Sequence, residues 1–157
     1  MIGSLQGVQS IYRVIDTIKK ELDSNPFCNN VTVGTLTEID LQKMTIFPLG
    51  HIVLESVTHN DLTLSFQVTI YNLDIVDISK EEANGVYGND DMIYIWTNQL
   101  FVINRLISRF KETLFYGEGI EISNVPSSDF ISKELENMLA GVQTTLNIVV
   151  PNDISKC

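Results

Sequence analysis

The chain has 157 residues, 44% hydrophobic and 19% charged, which suits one compact domain with a real core and leaves little room for a second. Its formal net charge of -10 sets a global field against nucleic-acid phosphates, which argues against free DNA as a ligand. The start "MIGSLQGVQSIYR" lacks the basic and apolar regions of an export signal, and no run approaches the roughly twenty apolar residues that cross a bilayer, so the chain reads as soluble, unexported and without a membrane partner.

From Val8 to about Asp23, the residues Val8, Ile11, Ile15, Ile18 and Leu22 recur at helical spacing, with Arg13, Asp16, Lys20 and Glu21 between them. This predicts an amphipathic helix ended by "DSNP", since Pro26 biases Asn25 away from helical geometry. Cys28, in "NPFCNN", and Cys157 have no CxxC motif and no histidine cluster beside them, so both are expected as free thiols. Asn30 opens a glycosylation sequon, read here as a turn into a strand.

Next, "NVTVGTLTEIDLQKMTIFPLGHIVLESV" offers β-branched stretches broken by Gly34, Pro48 and Gly50, the pattern of an edge or irregular strand. Leu62, Leu64, Phe66, Val68 and Ile70 then alternate with polar residues, and Asn60 and Asp61 mark a turn. The expectation is a long antiparallel hairpin, about Ile52 to Thr58 against about Leu62 to Val76, whose second arm projects beyond the domain.

A polar loop, Ser79 to Asp91, follows and ends at Asp90 or Asp91 as a helix cap. In the next helix Trp96, Leu100, Ile103, Ile107, Phe110 and Leu114 form one apolar stripe, and Ile95, Phe101, Val102 and Leu106 form a second, so more than one face needs cover. "GIEISNVP" reads as a strand, Ser128 to Leu139 as a short helix or helical turn, and "GVQTTLNIVVP" as a last strand with Val142, Thr144, Leu146 and Ile148 on one face. Pro151 ends that strand, and the polar residues from Asn152 read as a contact arm of about 151–157. The elements sum to an α+β fold in a single domain, 1–157: a mainly antiparallel sheet with a long β-hairpin, packed against an N-terminal helix and a long apolar central helix.

No catalytic constellation emerges. Glu81, Glu82, Asp90 and Asp91 supply oxygens for a hard cation, but they sit at the ends of the loop rather than at the alternating positions a calcium loop requires. Val86 and Tyr87, at the middle of that loop, are apolar without an obvious local reason. His51 and His59 belong to opposite ends of a hairpin arm and are not expected to share a ligand. Nucleophile-elbow, phosphate-loop, HExxH and zinc patterns are missing, and "GEG" at Gly117 to Gly119 follows a helix instead of opening one. Arg105 and Arg109 could touch phosphate, yet their spacing better fits a salt-linked or solvated helix face. The chain is therefore expected to be no enzyme and to need no metal or cofactor.

The segments "IFPLGHIVL" (46–54), "TLSFQVTIYNLDI" (63–75), "IWTNQLFVINRLI" (95–107) and "LAGVQTTLNIVVPN" (139–152), in this order, resemble the tail terminator and tail-completion proteins of tailed bacteriophages, and also neck ring components of podovirus-like and crAss-like phages. The resemblance covers nearly the whole length and rests on element order and composition. It implies a structural virion protein of the tail or neck, assembled in the host bacterial cytoplasm. The subunit would form a closed homo-oligomeric ring, commonly sixfold with twelvefold as the alternative. That ring would join portal, adaptor or tail tube proteins, and DNA would pass through it without specific binding. On that reading Val86 and Tyr87 anchor a subunit contact rimmed by Glu81, Glu82, Asp90 and Asp91; the Trp96 face, Pro151 and Asn152 contribute further contacts; and Glu55, Asp61 and Asp74 face the channel. The alternative is a small-molecule-binding or enzymatic α+β domain whose pocket lies between sheet and Trp96 helix, with the acidic loop as lid.

Overall fold

A computed structural model describes residues 6–35, 47–75, 92–112, 120–134 and 139–151. In chain order the elements are α1 (Gln6–Asp23), β1 (Asn30–Val33), β2 (Leu49–His59), β3 (Thr63–Ile75), α2 (Met92–Lys111), β4 (Glu121–Ile122), β5 (Ser127–Glu134) and β6 (Leu139–Pro151). The fold is α+β, with a mixed, mostly antiparallel six-stranded sheet in the order β1-β2-β3-β6-β4, and β5 paired to β6. Only β1 and β2 run parallel.

The strict alternation of β3 and β6 fixes which residues meet the helices. Leu64, Phe66, Val68 and Ile70 on β3, and Val142, Thr144, Leu146, Ile148 and Val150 on β6, are all buried on one face. Against that face α1 sets Val14, Ile18 and Leu22, and α2 sets Val102, Ile103, Leu106 and Phe110, making one main core. The opposite face carries a smaller cluster of Leu49, Leu73, Ile131 and Leu139. α1 ends as its sequence requires: Asn25 N–H still reaches the Leu22 carbonyl at 3.1 Å, and the Asn25 side-chain oxygen accepts from Phe27 N–H at 3.0 Å, turning the chain around Pro26.

The hairpin forms, with its turn at Asn60–Leu62, but its second arm does not project. β6 runs beside β3 from Thr63↔Pro151 to Ile75↔Leu139, so β3 is flanked over its whole length. Gly141 makes that pairing close: a Cβ there would overlap the Asn72 carbonyl oxygen. β2 is different, because β1 covers it only from Leu49 to Ile52. Beyond that point Leu54 to His59 are exposed, and a bulge between Leu54 and Ser56 leaves Glu55 unpaired in the ladder with β3.

Three expectations need correction. Residues Ser127–Glu134 form a strand, not a helix, running along β6 from Ser127↔Thr145 to Glu134↔Leu139. The open edge of β6 offers backbone groups that only a strand can satisfy, and this outweighs a weak local helical tendency. The strand in "GIEISNVP" shrinks to Glu121–Ile122, because the Asn124 side chain takes over the backbone's role: it donates to Thr145 O at 3.3 Å and accepts from Asn147 N–H at 2.9 Å. The helix foreseen as central and apolar is α2, which lies on one face of the sheet beside α1, with Gln99 among its buried residues and Asn104, Arg105 and Ser108 exposed. Each of its two stripes is split: Ile103 and Phe110 of the first and Ile95, Val102 and Leu106 of the second go inward, whereas Leu100 and Phe101, one from each, are exposed.

Candidate assembly surfaces

Because α2 carries more apolar residues than the sheet can cover, some of them face outward beside β5. Ile93, Trp96, Thr97, Leu100 and Phe130 line a groove of about 200 Å³. Trp96 is anchored there: its indole N–H donates to the Ile131 carbonyl at 2.9 Å, and its ring packs on Phe130 tilted by 44° with centroids 5.0 Å apart. Ile93 (43%), Leu100 (42%) and Phe130 (57%) remain exposed, and Tyr94 extends the apolar surface along the helix. On the far side of α2, Phe101 meets Phe27 edge-on at 5.7 Å, which joins this flank to the α1–β1 corner.

Beside the groove runs a sheet edge. β5 pairs with β6 on one side, and no described strand pairs with its other side. The opposite edge of the sheet is the outer half of β2, with Leu54 and Val57 exposed. Among the described residues the sheet thus has two different edges.

Among the described residues, Glu21, Arg105, Arg109 and His51 have structural partners. Glu21, on α1, stands between Arg105 Nε at 3.5 Å and Arg109 Nε at 3.3 Å, and Arg109 Nη1 reaches Glu112 Oε2 at 2.9 Å. The Arg105 contact is an ion pair without hydrogen-bond geometry, since Glu21 Oε1 has no hydrogen-bond partner among the described residues. The arginines therefore clamp α2 to α1, the salt-linked alternative. His51 is buried; its Nε2 lies 2.8 Å from the Thr35 carbonyl and so carries the proton, which leaves Nδ1 to accept from the Thr32 hydroxyl at 2.6 Å. His59 sits exposed at the other end of β2, opposite Leu64. Cys28 is a buried free thiol whose pKa is pushed up, mainly by burial. The Tyr71 phenol is pushed up as well, by burial first and by the Glu55 charge second.

Of the residues marked from the sequence, Glu81, Glu82, Val86, Tyr87, Asp90, Asp91 and Asn152 lie outside the described residues, as do Leu114 and Cys157. Pro151 is exposed and closes β6 opposite Thr63. Glu55 occupies the β2 bulge, Asp61 the exposed hairpin turn, and Asp74 the far end of β3, where its Oδ1 accepts from Ile75 N–H at 2.8 Å. At ~3.3 Å per strand residue Asp61 and Asp74 are about 40 Å apart, so the three carboxylates are strung along the hairpin and form no cluster. Among the described residues no group of three or more His, Cys, Asp or Glu could hold a metal, and no helix is long and apolar enough to cross a membrane.

Two polar residues escaped the sequence reading. Asn72 continues the buried parity of Leu64 to Ile70 and is fully buried, while Gln99 lies one helical turn after Ile95 on the inward face of α2 and is 1% exposed. A polar residue at an apolar position of a regular pattern was the available signal. No family model and no curated protein matches the chain.

Proposed function

We propose that the chain is a structural subunit of a bacteriophage tail or neck, assembling head to tail into a closed ring at the head–tail junction, as in the tail terminator proteins it resembles. The observation that carries the reading is the pairing of an exposed apolar groove, built on an anchored Trp96, with a sheet edge on the same flank and a second, different edge across the sheet. Exposed apolar surface that is contiguous and rimmed by polar residues is the usual mark of a partner. Sixfold closure is the favoured symmetry and twelvefold the alternative, with portal, adaptor or tube proteins above and below and DNA passing through the bore.

In such a ring the hairpin lies along the bore, which places Glu55, Asp61 and Asp74 at successive heights on its wall. Carboxylates repel the duplex and keep it centred within the ~8 Å over which physiological salt leaves charges visible, whereas a cationic wall would bind phosphates. The competing reading of Glu55 is local: a charge in a bulge on an open edge strand discourages stray pairing. The test is size exclusion with mass measurement and negative-stain imaging of the purified chain. Annular particles of six or twelve copies are expected; a monomer at tens of micromolar with no annuli contradicts the reading, and a ring whose bore is basic removes the channel assignment alone.

A further inference from the structure

Between the main core and the separate Ile95–Ala140 contact, the helix–sheet interface carries two buried carboxamides. Asn72 is fully buried, and among the described residues neither its Nδ2 nor its Oδ1 has a hydrogen-bond partner; Gln99, 1% exposed, has none there for Nε2 or Oε1. Each unmet group in an apolar interior is costly, and four of them are too many for a domain of ordinary stability to carry unanswered.

The two residues share a level of the helix–sheet interface. Asn72 is paired with Val142 on β6, and its side chain lies over Gly50, with Oδ1 3.8 Å from the point a Cβ of Gly50 would occupy. Two residues before Val142, Ala140 packs on Ile95. The Trp96 bond to Ile131, whose register partner is Gly141, places the start of α2 at that same end of β6, and α2 also contacts β4, which pairs near Ile148. α2 therefore runs along β6 in the direction of increasing residue number. One turn beyond Ile95 advances about 6 Å along the helix, and two residues beyond Ala140 advance about 6.6 Å along the strand, which brings Gln99 to the level of Val142 and Asn72.

We infer that an ordered internal water bridges the Asn72 and Gln99 carboxamides, and that this bridge fixes the level at which α2 rests on the sheet. A neutral molecule that both donates and accepts matches carboxamides, which offer two donors and two acceptor lone pairs each. Lone ions do not, since nothing in either side chain balances a charge. Moving α2 by one residue would turn Gln99 out of the bridge and put an apolar side chain against Asn72, so the arrangement is position-specific in a way that an all-apolar contact is not. The Trp96 groove, on the same helix, inherits its position from this lock.

The test joins a double-mutant cycle to a high-resolution crystal structure of the unaltered chain. Asn72→Leu and Gln99→Leu are each expected to lower the urea midpoint, because each strands the other carboxamide, and the double variant is expected to recover most of the loss. The crystal is expected to show a water within hydrogen-bond distance of both side chains. Single variants that each raise the midpoint, with additive effects, would overturn the bridge. So would a direct N–H to O contact between the two amides with no water present. If a single variant fails to fold, the crystal alone decides.

Discussion

α1 and α2 lie side by side on one sheet and bury similar side chains, yet they spend their apolar residues differently. α1 commits Val14, Ile18 and Leu22 to the core, leaves Lys19, Lys20, Asp16 and Asp23 in water, and exposes two apolar residues, Ile11 and Tyr12. α2 buries Ile95, Val102, Ile103, Leu106 and Phe110, and still exposes Ile93, Tyr94, Leu100 and Phe101. The inner contacts of both helices follow from folding one domain. Of the outer apolar residues of α2, Phe101 meets Phe27 within the domain, whereas Ile93, Tyr94 and Leu100 remain a surplus that the proposed assembly would cover.

The contrast can be broken first at the sheet that both helices share. Gly141→Val should cost about 3 kcal/mol or more, because a side chain there collides with backbone rather than with a movable neighbour. Chemical denaturation should show this as an unfolded or strongly weakened chain. A variant of ordinary stability would mean that β3 and β6 are not so closely paired.

Inner and outer residues of α2 should then separate cleanly. Leu106→Ala, which empties a fully buried site, should lower stability by about 2–5 kcal/mol. Leu100→Ala, 42% exposed, should change the stability of the isolated subunit by about 0.5 kcal/mol or less while weakening assembly. Equal losses of subunit stability in the two variants would erase the distinction between the faces.

How much of this was legible depended on whether one local pattern agreed with one tertiary demand. Leu64 to Ile70 of β3 and Val142 to Val150 of β6 set alternate residues toward the helices and could be read directly, whereas Leu73 and Leu139, buried on the other face, could not. α1 was also legible in extent, but its stripe was turned: Val14 is buried, whereas Ile11 is 38% exposed. For α2 the sequence offered two apolar stripes with nothing local to rank them, and packing against β6 decided. β5 was misread because its conformation comes from the edge of a strand that follows it in the chain. The candidate surfaces divide likewise. Trp96 and the surplus of its helix were visible, but Phe130, which completes the groove, lay in the segment taken for a helix.

Smaller effects sharpen the link between the helices. Glu21→Gln removes the carboxylate held between Arg105 and Arg109 and should cost about 1 kcal/mol, less as salt is raised, because both arginines are partly solvated. Loss of stability that is independent of salt would point to packing instead of charge.

The weakest expected effect is a pH dependence. Burial raises the Cys28 thiol, so the unfolded chain releases this proton at lower pH than the folded chain. Its contribution is complete below the unfolded thiol's pKa and is lost as pH rises through the folded value, and the raised Tyr71 phenol acts in the same direction at higher pH. Urea midpoints should fall as pH rises above about 8.5, where an unfolded thiol begins to ionise, with a shallower slope in Cys28→Ala. An unchanged slope would remove Cys28 from the account.

The surplus apolar face can be watched directly, because Trp96 is the chain's single tryptophan. Its emission should be followed from nanomolar to tens of micromolar concentration, with particle mass measured on the same samples. If another copy covers the groove, emission shifts to the blue as the mass rises to that of a ring, and Leu100→Asp abolishes both changes. Assembly without a shift, or a constant monomer mass with constant emission, would contradict the claim that this flank of α2 is where subunits meet.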